Sequence, residues 1–272
     1  MIKRALISVF DKTGIVEFAK ELNKRLDYVT INAPLNKNHF KINYYFPYNA
    51  FKEKSKNLDI AWFTHVEEYS ESEKRIFFEN AKKLNFCVCH SKKYEKILRD
   101  KGVKNVVTIN PGVDLGSFKP KLILGFIGRF YSYSKRKGEN LISQIKTIPF
   151  VELRCTEGKI PESEMPNFYR QLDYVLIASK YEGGPMCLVE GLACGVHIIA
   201  PKDVGMVSEF EKGIYHYKNS DFESLKNLLE KLYKKKLELR EQVEHMTWDK
   251  FAEEHDKLFK RLIGEKEVEE NI

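Results

Sequence analysis

Two glutamates with seven residues between them, Glu182 and Glu190, stand in the stretch SKYEGGPMCLVEGLACGVHIIAPKDVG, residues 179–205. The first follows a strand on a glycine-rich turn, and the second falls about a turn and a half into the next helix. Between them Gly183-Gly184-Pro185 makes a tight loop with exposed backbone. Pro185 at the helix start has no N–H to leave unpaired, while the amides of Met186, Cys187 and Leu188 are expected to point outward. Free N–H groups at a helix N-terminus form an anion site that suits a diphosphate. Flanking carboxylates suit hydroxyl-rich groups, because an ionised carboxylate only accepts hydrogen bonds. A sugar nucleotide carries both kinds of group. The plainer alternative is a surface Glu-Gly turn followed by an ordinary helical glutamate.

Other residues of reactive type are less informative. His65 ends a strand, and ligands bind at the C-terminal edge of open α/β sheets. A surface or structural histidine is the alternative. His90-Ser91 ends the next strand and is a weaker candidate. Cys87-Val-Cys89-His90 has metal-ligand residue types, but one-residue spacing with no second pair is ordinary strand alternation, so no metal site is expected. The five cysteines are scattered among apolar neighbours and read as buried thiols in a reducing compartment.

The elements that must position these residues alternate. Strands are expected at 4–10, 28–31, 58–64, 86–89 and 106–109, with helices at 15–22, 71–84 and 92–101 between them. Residues 110–120 are turn-rich and aperiodic, and read as a linker. A second set follows, with strands at 122–127, 150–154, 174–178 and 196–200 and helices at 139–146, 163–171, 186–194, 221–244 and 248–262. Strands alternating with helices imply parallel α/β layering. No run of about 18 apolar residues is present, so no membrane span is expected. The start carries no secretory-signal pattern, so a cytoplasmic protein is expected. The net charge of +7 is uneven: residues 1–118 hold 21 Lys and Arg against 14 Asp and Glu, and the remainder 25 against 25. That excess favours an anionic partner for the first half, such as DNA, a lipid-linked or surface glycan, or the inner face of a membrane. A solubilising lysine-rich surface is the competing explanation.

The stretch around Glu182 and Glu190 resembles the E-x7-E signature of retaining GT-B glycosyltransferases, family 4. It matches in Ser179, Glu182-Gly183, Gly184-Pro185, Glu190, Ala193-Cys194-Gly195 and the strand after His197. Further pieces resemble the family in order and spacing: Gly112-Val113-Asp114 to Phe118-Lys-Pro120, Gly128-Arg129 to Lys137-Gly138, Val204-Gly205 to Glu209, and Trp248 to Phe251-Ala252. The resemblance implies a donor-sugar contact for Glu182 and ribose contacts for Glu190. It implies that Arg129 and Lys137 neutralise the donor diphosphate. Lys135 and Arg136 are the other cations of that run, and Lys137 is preferred because a glycine follows it. A leaving nucleotide diphosphate gains charge in the transition state, which fixed cations offset. The resemblance also places a histidine near the donor sugar, which favours a catalytic role for His65. It implies no metal and no cofactor beyond a nucleotide-diphosphate sugar of UDP or GDP type as donor.

The expected architecture is therefore α/β GT-B, two Rossmann-like domains with parallel sheets facing across a cleft. Residues 1–118 form the acceptor-side domain and 119–248 the donor domain. A helix over 249–263 packs back towards the first domain, and 264–272 is an acidic tail. The chain is shorter than typical members of that family, which leaves the acceptor and full activity open. The opening RALISVFDKTGIVEFAKEL also resembles the start of the IMP cyclohydrolase half of a bifunctional purine-biosynthesis enzyme. That enzyme's following Ser-Thr-Gly-Gly-Thr segment is absent, and Val29-Thr-Ile-Asn-Ala-Pro34 stands there instead. The opening is read as the first strand, loop and helix of the acceptor domain, with Asp11, Lys12, Thr13 and Gly14 as acceptor-side candidates. A nucleotide-binding module without turnover and a cyclohydrolase-like enzyme are the alternative functions.

Overall fold

The computed structural model describes residues 5–9, 15–32, 40–66, 70–131 and 133–264. Asp11–Gly14 and the tail after Gly264 lie outside the described residues. The chain divides into two compact units, one of residues 1–118 and 244–272 and the other of residues 119–243.

In the first unit β1 (Ala5–Val9), β2 (Val29–Ile31), β3 (Ile42–Phe46), β4 (Leu58–Phe63), β5 (Phe86–Cys89) and β6 (Val106–Thr108) form a sheet in the order β2-β1-β3-β4-β5-β6. Every pairing is parallel. The connecting helices are α1 (Ile15–Arg25), α2 (Glu71–Lys83) and α3 (Lys92–Asp100). Local chemistry starts α2 where it does: Ser70 accepts from the Glu73 N–H while the Glu73 carboxylate accepts from the Ser70 N–H, a reciprocal cap. On one face of the sheet Ile7, Tyr44, Phe46, Trp62 and Val88 pack with Phe251, Leu258 and Phe259 of the last helix.

The sequence pattern does not reveal β3, which lies beside β1 in the middle of this sheet. Its residues are INYYF, and among the described residues their side chains bond to segments 12 or more residues away. Asn43 and Tyr45 donate to the buried Asp59 carboxylate at 3.1 Å each, and the Tyr44 hydroxyl meets His255 at 3.0 Å.

In the second unit β7 (Leu122–Phe126), β8 (Val151–Cys155), β9 (Tyr174–Leu176), β10 (His197–Pro201) and β11 (Ile214–Tyr217) are ordered β11-β10-β9-β7-β8, again all parallel. Its helices are α4 (Glu139–Ile145), α5 (Met165–Tyr169), α6 (Met186–Ala193) and α7 (Phe222–Glu241). Leu124, Phe126, Leu141, Ile145, Leu225 and Leu229 share one core cluster, and Tyr169, Val175, Leu188, Ile198 and Val207 another. The chain steps from β7 to β8 on one side and to β9 on the other, so the strand order reverses at β7. Ligands in open parallel sheets bind outside the carboxyl ends of the strands at such a reversal.

The last helix, α8 (Trp248–Leu262), is capped by Thr247, whose side chain accepts from the Lys250 N–H. It belongs to the first unit, where Phe251, Ala252, His255, Leu258 and Phe259 are buried. No helix among the described residues is long and apolar enough to cross a membrane.

Candidate active site

The residues read as a nucleotide-sugar site converge at the reversal in the second unit. Gly128-Arg129 leaves the carboxyl end of β7, and Ser179 to Glu182 leaves that of β9. The loop carrying Arg136 and Lys137 is pressed onto the same edge. The Arg136 carbonyl accepts from the Lys180 N–H at 2.9 Å. Gly138 follows in a left-handed conformation (φ 81°), where a Cβ would lie 2.0 Å from the Ala178 carbonyl oxygen. Only glycine brings that backbone so close to the end of β9, which is why a glycine follows Lys137.

Glu182 is the hub. One carboxylate oxygen accepts from Ser179 Oγ at 3.0 Å and from Lys137 Nζ, and the other from Arg136 Nη1 at 3.3 Å. Its side chain is 10% exposed. Burial works to raise its pKa, yet the hydrogen bonds from Lys137 and Ser179 and the charges of Lys137 and Arg136 hold the carboxyl below its ordinary value. Glu182 is thus an ionised acceptor at neutral pH.

Glu190 lies on α6 and is exposed. One of its oxygens accepts from the Tyr169 hydroxyl at 2.5 Å, and Tyr169, on α5, is buried. Burial, with this hydrogen bond and the nearby negative groups, pushes the phenol well above its ordinary range, so it stays a donor.

Pro185 is buried and caps α6, with Met186 exposed and Cys187 half-buried after it. The Leu188 N–H donates to the Pro185 carbonyl at 2.9 Å, which corrects the expectation that three amides point outward. The first turn of α6 closes tightly through that bond. Burial pushes the Cys187 thiol up to about 12, which keeps it neutral despite Lys137 nearby. Beside Gly183 there is open space, while Gly184 faces Met206. Gly205 (φ 52°) lies so close to the loop that a Cβ would be 2.6 Å from the Gly183 carbonyl oxygen, and this supports the turn from below.

Gly128 (φ 135°) donates its N–H to Thr156 Oγ1 at 3.1 Å and faces Lys137, whose Nζ would be 3.9 Å from a Cβ there. Arg129 is exposed, runs against Gly158, and makes no hydrogen bond or ion pair among the described residues.

The structure therefore brings together Gly128, Arg129, Lys137, Glu182, Gly183, Gly184, Pro185, Met186, Cys187, Leu188 and Glu190 within one unit. His65 follows β4 in the other unit and is exposed. Asp11, Lys12, Thr13 and Gly14 lie outside the described residues. Two neighbours of these glutamates escaped the sequence pattern. Arg136 is one of three adjacent cations with nothing to single it out, and Tyr169 falls inside the expected helix over 163–171. Cys87 and Cys89 are buried, and burial raises both thiols, Cys89 to about 12. Among the described residues no group of three or more His, Cys, Asp or Glu is placed to hold a metal ion.

Several known proteins are similar to this chain. Sucrose-phosphate synthase (tll1590) from Thermosynechococcus elongatus is 13% identical over 97% of this chain and 100% of its own, with a TM-score of 0.46. Anabaena Alr3699/HepE, solved with UDP and glucose, is 11% identical over 95% of this chain and 100% of its own, with a TM-score of 0.41. A glycosyltransferase from Rickettsia africae ESF-5 is 13% identical over 98% and 100%, with a TM-score of 0.37. A 33-residue segment, 12% of the chain, is 78% identical to the bifunctional purine biosynthesis protein PurH of Clostridioides difficile (strain 630). That segment spans only 6% of PurH. The sequence model of the glycosyl transferases group 1 matches residues 93–247, which include every residue gathered around Glu182. This match takes in more than half of the chain, and the protein belongs to the glycosyl transferases group 1 family.

Proposed function

We propose that this glycosyltransferase moves a sugar from a nucleotide-diphosphate sugar of UDP or GDP type to an acceptor hydroxyl, with retention of configuration, as an E-x7-E enzyme of family 4. The observation that supports this best is the ionised Glu182, held by Ser179, Arg136 and Lys137 at the strand reversal beside the start of α6. Glu182 accepts hydrogen bonds from hydroxyls of the donor sugar. Glu190, oriented by Tyr169, accepts from the ribose hydroxyls. Arg129 and Lys137, with the first-turn amides of α6, offset the charge that builds on the leaving diphosphate. Gly183 and Gly184 leave room for the diphosphate beside the backbone, and no carboxylate nucleophile is assigned. The acceptor is a surface or lipid-linked glycan or a modified DNA base, and the positive first half suits each of these anionic surroundings. His65, which follows β4 in the first unit, is assigned a catalytic role. A cytoplasmic location with peripheral contact at the inner membrane face belongs to the same proposal.

A thermal-shift screen of UDP-, GDP- and ADP-linked sugars tests donor binding, because a ligand at 100 times its Kd stabilises by about 2.7 kcal/mol. Donor turnover is then measured for the wild type, Glu182→Ala and Arg129→Ala. Both variants are expected to lose hydrolysis and transfer. Unchanged turnover in both overturns the site assignment, and binding without any wild-type turnover leaves a nucleotide-holding module.

A further inference from the structure

Lys137 is given two incompatible duties. As the diphosphate cation it must face the donor phosphates, yet its ammonium is bound to Glu182. One flexible point charge cannot hold a carboxylate and a diphosphate equally well. When Lys137 turns to the donor, a buried carboxylate would be left with too few partners at the moment it must accept from the sugar.

Arg136 fits this gap. We infer that Arg136 is the positioning residue of Glu182, anchored to the Glu182 loop so that Lys137 is released to the donor diphosphate. This rests on the glycosyl-transfer function proposed above.

Three features of Arg136 set it apart from its neighbour. It binds the Glu182 oxygen that Lys137 does not, so the two cations are not competitors for one lone pair. Its carbonyl accepts from the Lys180 N–H, two residues before Glu182, which ties its backbone to the same loop as its side chain. Its guanidinium lies over the Tyr131 ring at 5.5 Å, and the Tyr131 N–H is itself fixed by the Glu139 carboxylate at 2.8 Å. A planar guanidinium held on an aromatic face keeps its direction, whereas an ammonium on a four-carbon stem turns readily. Ser179, buried and bonded to the other oxygen, completes a cradle that survives the departure of Lys137. The exchange also suits the charge balance: two cations on one carboxylate leave a surplus positive charge that the incoming diphosphate takes up.

The test compares Arg136→Gln and Arg136→Lys with the wild type in two assays. One is Kd for UDP or GDP alone, whichever the wild type binds. The other is kcat/KM for donor hydrolysis with the matching sugar nucleotide, chosen from UDP-glucose, UDP-N-acetylglucosamine and GDP-mannose. Arg136→Gln is expected to lower kcat/KM about 10- to 100-fold, the range of a lost hydrogen bond to a charged group. The nucleotide Kd should stay within about twofold, since the Glu182 contact is to the sugar. The acid limb of the pH profile should move to higher pH, because Glu182 loses a stabilising cation, and Arg136→Lys should recover part of the loss. In a Glu182→Gln background Arg136→Gln should add nothing. Equal losses of nucleotide and sugar-nucleotide affinity would assign Arg136 to the diphosphate and overturn the inference. So would an unchanged kcat/KM, or losses that add in the double variant. A wild type that binds none of these nucleotides overturns the glycosyl-transfer function itself, which is a different result from an active wild type indifferent to Arg136.

Discussion

Glu182 and Glu190 have the same side chain eight positions apart and live in opposite settings. Glu182 is sunk among two cations and a hydroxyl, while Glu190 is exposed and steered by one phenol. An exposed carboxylate keeps many rotamers, and a single short hydrogen bond from a buried donor selects among them. Tyr169→Phe removes that donor and keeps the ring, so the fold should hold. The KM for the sugar nucleotide should rise about tenfold, the scale of a lost hydrogen bond to an ionised group. An unchanged KM with intact melting would show that Glu190 needs no steering.

At the scale of elements, α8 depends on a neutral histidine. His255 Nδ1 donates to the Phe251 carbonyl at 2.8 Å, so Nε2 accepts from the Tyr44 hydroxyl at 3.0 Å on β3. The ring also stacks on Trp62 at 5.9 Å and has no exposed surface. Burial lowers its pKa to about 4, against an ordinary 6.5, while the bond to Phe251 opposes the shift only in part. The unfolded chain therefore binds a proton that the folded chain refuses between those two values. Stability is fully present above pH 6.5 and falls as the pH drops towards 4. The loss reaches about 3 kcal/mol near pH 4, at about 1.36 kcal/mol per pH unit. His90, also lowered by burial, adds to the same window. Denaturant melts of the wild type between pH 7 and 4.5 should show this slope, and His255→Gln should flatten it. A flat wild-type profile would mean that α8 tolerates a charged His255.

At the scale of the whole molecule, the two units differ in how the chain closes them. The second is continuous, from Lys119 to Val243, and its core clusters draw only on those residues. The first is completed by a segment more than a hundred residues downstream of Phe118. Phe251 and Phe259 of α8 are each 1% exposed, and they cover the face formed by Ile7, Tyr44, Phe46 and Trp62. A chain ending at Val243 should therefore lose protease protection over residues 1–118 and keep it over 119–243. Burial of several large aromatic side chains is at stake, worth about 1.5–3 kcal/mol each. Equal protection of both units in the shortened chain would show that α8 adds little to the first core.

The sequence alone determined what depends on near neighbours. Alternating strands and helices, the carboxylates of the E-x7-E stretch, the glycines beside them and the family resemblance were all legible. Each is written in types and spacings a few residues apart. Only the tertiary structure decided matters that depend on distant segments. β3 became a central strand because Asp59 and His255 satisfy its asparagine and tyrosines, and no local pattern carries that information. Arg136 was separated from Lys135 because a loop 46 residues away supplies its carboxylate. Tyr169 meets Glu190 because α5 and α6 pack so that its hydroxyl reaches that carboxylate. Hydrogen bonds and ion pairs select residues by where the folded chain returns, and the sequence records their types without their meeting places.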